Sequence, residues 1–450
     1  MVIIKKPNVI LDPNTPQQNE GGIGVFPPVQ QEQQQTTQPQ TTPAYVPRDF
    51  PIPASPPTPH DEQSAAMEIS IEEWLNKLLE KAIASRASDI HLEPERGQFS
   101  IRARVDGLLH TMESLDTQYQ EVIISRIKVL AQMDITKHRL PQDGGFEFSS
   151  QGRIYNIRVS TYPTVYGETA VLRILDREGS LLALSDLGFN EQQLKVLDKL
   201  IHTSYGMILI TGPSGSGKTT QMYSMLNVLN KPENNIMTIE DPVEVQVNSI
   251  RQAQTNRYQD FNFPTALRAV LRQDPDIVMV GEIRDKETAQ ISIQAALTGR
   301  LIFSTFHTLN VFAVVTRFIE MDIPRSVVAH TLEGIISSRL VRKICTHCKI
   351  DHKITDHERL ILDGQIPENL KTFEGKGCDK CMNTGYYGRT GIFQVIAFDD
   401  DIRTAILDSK SSVEINALIK EKKMGTLMSS ALEKAQGGIT TLEEVIRVTM

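Results

Sequence analysis

At 450 residues the chain exceeds one typical domain, so two or three globular units are expected. Apolar residues supply 40% and charged residues 23%, enough for real cores, and a net charge of -8 removes any global electrostatic case for a nucleic-acid partner. No apolar run approaches the ~20 residues of a bilayer-spanning helix, and the start lacks the apolar stretch of a secretory signal, so a cytoplasmic protein that meets a membrane only through partners is predicted.

Thirteen of the 23 prolines precede residue 60, beside a glutamine-rich stretch at 30–40. Such a composition cannot bury enough apolar surface to offset its ordering entropy, which predicts a disordered tail over 1–66, either a plain linker or a tether that binds a partner. Order begins with Ile71, Trp74, Leu75, Leu78, Leu79, Ala82 and Ile83, whose i, i+3, i+4 recurrence predicts an amphipathic helix. Strand-like segments follow at 99–105 and 153–160, with a helix over 118–132 between them and another strand at 168–175. Together they predict an α/β unit over 67–178. A linker over 179–190, with its hinge at 179–186, leads to a helix at 191–201 and a buried strand at 206–211. Strands and helices then alternate, the pattern of a mostly parallel sheet covered on both faces, and the stretch from Asp399 onward reads helical with a break at Gly437-Gly438. These elements define a second unit over 191–450. No tandem repeat is present.

Gly212-Pro213-Ser214-Gly215-Ser216-Gly217-Lys218-Thr219 matches G-x-x-x-x-G-K-[ST] at every fixed position, between an apolar strand (207–210) and a helix (219–230). Glycines let the backbone wrap phosphates, and successive N–H groups at a helix N-terminus offset their charge. In such a loop Lys218 reaches the β- and γ-phosphates, the Thr219 hydroxyl ligates Mg²⁺, and Thr220 follows in the first helical turn. ATP or GTP binding is therefore predicted. A second apolar strand, 277–280, ends in Gly281-Glu282, and a third, 236–239, ends in Glu240-Asp241-Pro242-Val243-Glu244. Both acidic ends are expected at the C-terminal edge of the sheet, where α/β sheets bind ligands. Hydrolysis needs one carboxylate near Mg²⁺ and another to orient water, against the bland alternative of solvated loop acids.

The four cysteines form two C-x-x-C pairs, Cys345/Cys348 and Cys378/Cys381, around the 29 residues 349–377. Four thiolates in this spacing predict a closed structural Zn²⁺ site in a reducing compartment, complete without His347 or His352. A nucleic-acid zinc ribbon is the competing reading. The nine basic and seven acidic residues between 341 and 396 are too balanced for a phosphate-binding face.

Over about residues 70–450 the chain resembles the secretion ATPase superfamily, and within it the type II secretion and type IV pilus assembly ATPases. Ala87-Ser88-Asp89-Ile90-His91-Leu92-Glu93-Pro94 and residues 102–107 look like that family's second N-terminal domain. Residues 238–244 resemble its Asp box, 271–285 its Walker B signature, and Ser304-Thr305-Phe306-His307-Thr308 its His box. The resemblance implies an α/β protein: a RecA-like P-loop ATPase domain, a smaller N-terminal α/β domain and an inserted tetracysteine zinc module, placed at 341–396. It implies Glu244 as the residue that activates water, Glu282 as the acid beside Mg²⁺, and His307 as the reader of the γ-phosphate. Arg158 and Arg173 look like arginines that the N-terminal domain offers to the nucleotide. It further implies a homohexamer, cytoplasmic but peripherally associated with the inner membrane through a platform protein, that powers pilin or pseudopilin assembly. Retraction ATPases of the superfamily lack the tetracysteine module, and Thr384-Gly385-Tyr386-Tyr387-Gly388-Arg389-Thr390-Gly391 after it strengthens the match to assembly. One departure is Arg300, where the family often carries a histidine after Thr-Gly. An arginine there can contact phosphate but cannot switch charge near neutral pH.

Two other classes are weighed against this motor. A nucleic-acid translocase would need a basic channel, against which the acidic net charge stands. A non-hydrolysing ring scaffold would have lost Lys218, Glu244 or Glu282, and all three are present.

Overall fold

A computed structural model describes residues 70–176, 181–256, 260–308, 311–362, 364, 366 and 370–450. The expected tail over 1–66 and the first part of the hinge lie outside the described residues.

The first helix, α1 (Ile71–Ala84), buries Trp74, Leu75, Leu78, Leu79 and Ala82 on one face, with Glu72 and Glu73 in its first turn and Lys81 in its last. That charge order complements the helix dipole, and each large apolar side chain contributes about 1.5–3 kcal/mol on burial. Next come β1 (Ala87–Glu95), β2 (Gln98–Val105), β3 (Leu108–Leu115), α2 (Gln120–Leu130), β4 (Gln142–Ser150), β5 (Arg153–Thr164) and β6 (Gly167–Asp176). The strands form one antiparallel sheet in the order β3-β2-β1-β6-β5-β4, whose inner face packs on α1 and α2. Half of these strands escape the sequence pattern. In β4 the burial alternates only between partial and full exposure, with no fully buried position before Ser150, so its composition carries little apolar signal.

After a short 3-10 turn at Leu184–Leu187, the second sheet is built from α3 (Glu191–Ile201), β7 (Gly206–Thr211), α4 (Lys218–Leu229), β8 (Ile236–Glu240), β9 (Arg251–Gln254), α5 (Phe263–Val270), β10 (Ile277–Val280), α6 (Lys286–Leu297), β11 (Leu301–Phe306), α7 (Val311–Glu320), α8 (Arg325–Thr331) and β12 (Leu332–Ile344). The small elements β13 (Lys349–His352), α9 (Asp356–Ile361) and β14 (Thr372–Gly375) interrupt it before β15 (Tyr386–Ala397). Four helices close the chain: α10 (Asp400–Leu407), α11 (Ser412–Glu421), α12 (Leu427–Gln436) and α13 (Leu442–Thr449). The sheet order is β15-β12-β7-β11-β10-β8-β9. Strands β12, β7, β11, β10, β8 and β9 run parallel, and β15 returns antiparallel to β12. Apolar cores lie on both faces, which is why the central strands β7, β10 and β11 are apolar along nearly their whole length.

This topology redraws the expected 341–396 insertion. Residues 341–344 belong to β12 and 386–396 to β15, two strands of the main sheet that pair directly, Val341 opposite Thr390 and Arg342 opposite Arg389. The inserted part is thus the segment between Ile344 and Tyr386, carried on a hairpin of the central sheet. The base of that segment rests on α12 and α13 through Val341, Leu362, Leu370, Ile392, Ala431 and Leu442.

Candidate active site

The parallel strands β7, β11, β10 and β8 lie in register, so their C-terminal ends form one edge. From β7 emerges the loop 212–217, and α4 begins at Lys218. Gly212 has φ +155, and a Cβ there would lie 2.4 Å from Ser216 Oγ and 2.7 Å from the Ser338 carbonyl, so only glycine lets β12 and the loop approach so closely. Gly217, at φ +84, makes the left-handed turn that starts the helix. Lys218 is buried and donates to the carbonyls of Gly212 (2.9 Å) and Pro213 (3.0 Å). Burial lowers its proton affinity, which Glu282 raises and Arg339 lowers further.

Each neighbouring strand supplies chemistry at the same edge. Two residues beyond β10, Glu282 stands 2.6 Å from Arg284 and 3.2 Å from His307 Nε2, the residue that follows β11. Thr305 donates to the Gly281 carbonyl at 2.8 Å, which locks the two strand ends together. At the end of β8, Glu240 is buried, and four residues on Glu244 faces the cleft. Although open to the cleft, Glu244 lies deep enough among protein atoms that lost hydration raises its carboxyl. Arg158 lowers it, Glu240 raises it, and Arg173 and the Thr219 hydroxyl lower it, the net being upward.

The opposite wall comes from the first sheet. Arg158 on β5 and Arg173 on β6 are direct cross-strand partners, an arrangement of like charges that is unfavourable without compensation. Oxygen acceptors provide it: Arg173 Nε lies 2.8 Å from the Asp89 carboxylate on β1, and Arg158 Nη2 donates at 3.5 Å to the Val243 carbonyl, with the Glu244 carboxyl next along the chain. Burial opposes ionisation of Asp89, but Arg173 and Ser88 hold it below the ordinary aspartate value. Two further ties join the sheets: the Gly388 N–H donates to Asp106 at 2.9 Å, and the Arg86 guanidinium stacks 3.5 Å over the Tyr387 ring. Between the walls lies a cleft of 780 Å³ lined by the phosphate loop, Glu240, Glu244, Glu282, His307 and Arg173.

The folded chain thus brings Lys218, Thr219, Glu244, Glu282, His307 and Arg173 to one cleft, with Arg158 at its margin. It leaves Arg300 elsewhere. That residue precedes β11 and donates to the Thr298 carbonyl at 2.9 Å, behind the sheet edge opposite His307. Six strand residues at ~3.3 Å each separate the two by roughly 20 Å. Sequence reasoning missed Asp89 and Arg104, which also line the cleft, although both fall inside the two N-terminal segments it singled out. It missed Arg284, whose signal is its place two residues after Glu282, and Tyr223, one helical turn after Thr219.

The cysteines form a second constellation. Among the described residues they are the one group of three or more metal-capable side chains in mutual reach, their Sγ atoms all within 4.8 Å of one another. Cys345–Cys378 and Cys348–Cys381 are 3.9 Å apart and Cys378–Cys381 3.7 Å. A tetrahedral site with zinc–sulfur bonds of ~2.3 Å has sulfur–sulfur edges of about 3.8 Å, so the donor set fits. Burial disfavours the Cys381 thiolate, but N–H donors from Cys378 and Gly385 outweigh it and bring this thiol down to about 7.

A phosphate loop at the head of a parallel sheet, flanked by two acidic strand ends and facing arginines from a second sheet, defines a P-loop nucleoside triphosphatase. The family described as "Type II/IV secretion system protein" matches residues 64–447. Type II secretion system protein E of Dickeya dadantii is 43% identical over 375 residues, 83% of this chain and 75% of that protein. The type IV pilus assembly ATPase PilB of Pseudomonas aeruginosa is 41% identical over 396 residues, 87% of this chain and 70% of its own length. Among solved structures, the pilus retraction motor PilT with bound ADP superposes with a TM-score of 0.56 at 25% identity, covering 83% of this chain and 96% of that one. DotB of Legionella pneumophila superposes at 0.61 with 21% identity, covering 83% and 94%, a likeness of fold. The chain belongs to the type II/IV secretion system protein family and is an ATPase of its secretion and pilus-assembly branch. Members act on nucleotide with Mg²⁺. Among the described residues no helix is long and apolar enough to cross a membrane.

Proposed function

We propose that the chain is the motor of a type IV pilus or type II secretion machine, a cytoplasmic homohexamer docked peripherally on the inner membrane through a platform protein and powering pilin or pseudopilin assembly. Its working parts are an N-terminal α/β domain over 67–178 and an ATPase domain over 191–450, joined by 179–190. The observation that carries this reading is the convergence of the phosphate loop, Glu244, Glu282 and the arginine pair on one cleft.

In this reading the 212–217 amides cradle the phosphates, Lys218 holds the β- and γ-phosphates, and Thr219 with Glu282 holds the Mg²⁺. That ion neutralises charge on the phosphate oxygens. Glu244 orients the attacking water, helped by a carboxyl whose proton affinity is raised. Arg158 and Arg173 approach the transferring phosphoryl group, where a positioned arginine is worth ~10³–10⁵ in rate. His307, hydrogen-bonded to Glu282, reads the γ-phosphate. Cys345, Cys348, Cys378 and Cys381 hold a structural Zn²⁺. Nucleic acid is no partner of this site, a reading supported by the net charge of -8.

Glu244→Gln tests it. The amide keeps the shape but cannot accept a proton, so turnover falls at least about a hundredfold while ATP affinity, measured by equilibrium binding, is retained. Turnover near that of the unaltered protein removes Glu244 from the chemistry.

A further inference from the structure

Glu240 and Glu244 have so far been two acids of one strand end, yet their surroundings differ. Glu240 is buried at 3% exposure, and both its oxygens are engaged. Thr238 donates to Oε1 at 2.6 Å, Gln252 to the same oxygen at 3.1 Å, and Tyr223 to Oε2. A carboxylate bound by three donors has little capacity left for a metal ion. Tyr223, at 1% exposure, comes from α4. The main-chain N–H groups of Glu244 and Val245 also favour negative charge on this hydroxyl, without outweighing burial and Glu240, which keep its proton in place. One turn earlier on the same helix face, the Thr219 hydroxyl faces the Glu244 carboxyl and lowers its proton affinity. Gln252 on β9 completes the frame: its amide N–H donates to the Val245 carbonyl at 3.0 Å, and its carbonyl accepts from Val247 N–H at 2.7 Å.

We propose that Tyr223 and Glu240 are positioning residues for hydrolysis, forming a buried clasp that fixes the main chain at Glu244 against the phosphate-loop helix. The helix that carries Thr219 thereby carries the placement of the water-orienting acid as well. A shift of α4 with nucleotide is passed to Glu244, because Tyr223 bonds Glu240 and Gln252 ties Glu240 to the Val245 carbonyl beside it. The clasp also divides the labour of the strand end. Glu240 is a fixed anchor whose oxygens are taken up by protein donors, and Glu244 is the more exposed acid facing the cleft. The phenol is otherwise an unfavourable choice for this core, since its hydroxyl must find partners when buried. It finds its partner in Glu240.

The inference rests on the reading of Glu244 as the water-orienting residue, and the experiment separates the two. In the full-length protein, steady-state ATPase rates and nucleotide affinity are measured for Tyr223→Phe, Glu244→Gln and the double variant. Tyr223→Phe keeps the ring and its packing and deletes the hydroxyl. Misplacing a reacting group by about 1 Å costs on the order of 10²-fold, so kcat is expected to fall about 10- to 100-fold. KM and ADP affinity should stay within about threefold, as for a group that acts only in the transition state. Because the clasp works through Glu244, the double variant should be no slower than Glu244→Gln alone. Thr238→Val, which removes another donor from Glu240 from the sheet side, should lower kcat in the same manner, and it carries the test if Tyr223→Phe folds poorly. An inactive Glu244→Gln with Tyr223→Phe at full kcat overturns the clasp and leaves the role of Glu244 standing. A Tyr223→Phe effect confined to KM, or a further loss in the double variant, overturns it too. A fully active Glu244→Gln removes the base itself, and the clasp with it.

Discussion

Loss of metal from the cysteine cluster is the perturbation whose magnitude the structure lets one judge most directly. Cys378→Ser removes one of four sulfurs whose 3.7–3.9 Å separations match a tetrahedral zinc site. What remains to hold the segment between the knuckles is meagre. β13 and β14 are four residues each, and α9 buries no side chain. The buried apolar side chains among the described residues there are Leu362 and Leu370, worth about 1.5–3 kcal/mol apiece. Structural zinc contributes ~10–16 kcal/mol in small modules, so the metal outweighs both leucines together. The main sheet should not follow, because β12 and β15 pair directly below the cluster and carry their own core. Hydrogen exchange read by mass spectrometry is the assay, with elemental analysis beside it. The unaltered chain should hold about one zinc, and Cys378→Ser should lose it, with amides of β13 and β14 exchanging on the order of 10²–10³ times faster. Protection in β7, β10 and β11 should be unchanged. A zinc-free chain with β13 and β14 still protected would refute the reasoning, since two leucines cannot provide that order.

Other outcomes follow from particular side chains. Glu444 is fully buried and accepts from the Arg342 amide at 2.8 Å and its guanidinium at 2.7 Å, with Arg447 on its other side. Glu444→Gln leaves Arg342 a buried, poorly compensated cation and should destabilise the chain by ~3–5 kcal/mol in urea unfolding. Burial would raise the Glu444 carboxyl, but Arg447 and Arg342 hold it below the ordinary value of 4.5. Its contribution is therefore complete above pH 4.5 and lost as pH falls through the lower folded-state value, so the difference between variant and parent should shrink with acidification. An unchanged difference through that window would contradict the assignment. Arg300→Ala should leave kcat and KM within about twofold, since the residue lies roughly 20 Å from His307 behind the strand. A large kcat loss would mean that Arg300 reaches nucleotide by a route the fold does not provide.

The parts of this protein most legible in the sequence are those where local chemistry demands particular residues. Lys218 and Thr219 follow a glycine loop that only phosphate recognition explains, and β7 fits one strand type because Met207, Ile208, Leu209 and Ile210 make its interior apolar throughout. The acidic strand ends are readable for the same reason: a buried parallel strand announces its end when charge appears. Strands β1, β3 and β4 are less legible because one of their faces meets solvent or the cleft and their polar residues break the alternation. The limits of the cysteine insertion were overdrawn because C-x-x-C spacing marks the ligands and says nothing about the hairpin that carries them. Tyr223 was invisible for a different reason. Its partners are 17 or more residues away on another strand, and a tyrosine in an apolar helix reads as core until the pairing of β8 with α4 is known.

The geometry also ties the acid proposed at 244 to contact between the two sheets. On its own side of the cleft it faces the Thr219 hydroxyl and lies four residues beyond Glu240, the partner of Tyr223, while charge compensation comes from Arg158 and Arg173 across the cleft. Those arginines belong to neighbouring strands and repel each other unless carboxylates stand between them. Asp89 fills that role from within the first sheet, and Glu244 fills it from the second. Separation of the sheets would therefore take Arg158 and Arg173 away from Glu244 and from the proposed phosphate site. On that reading closure and catalytic competence would be one event, because the arginines that face Glu244 across the cleft also lower its proton affinity. On the proposed mechanism, hydrolysis would proceed only with the sheets together, and movement between them would be tied to the state of the nucleotide.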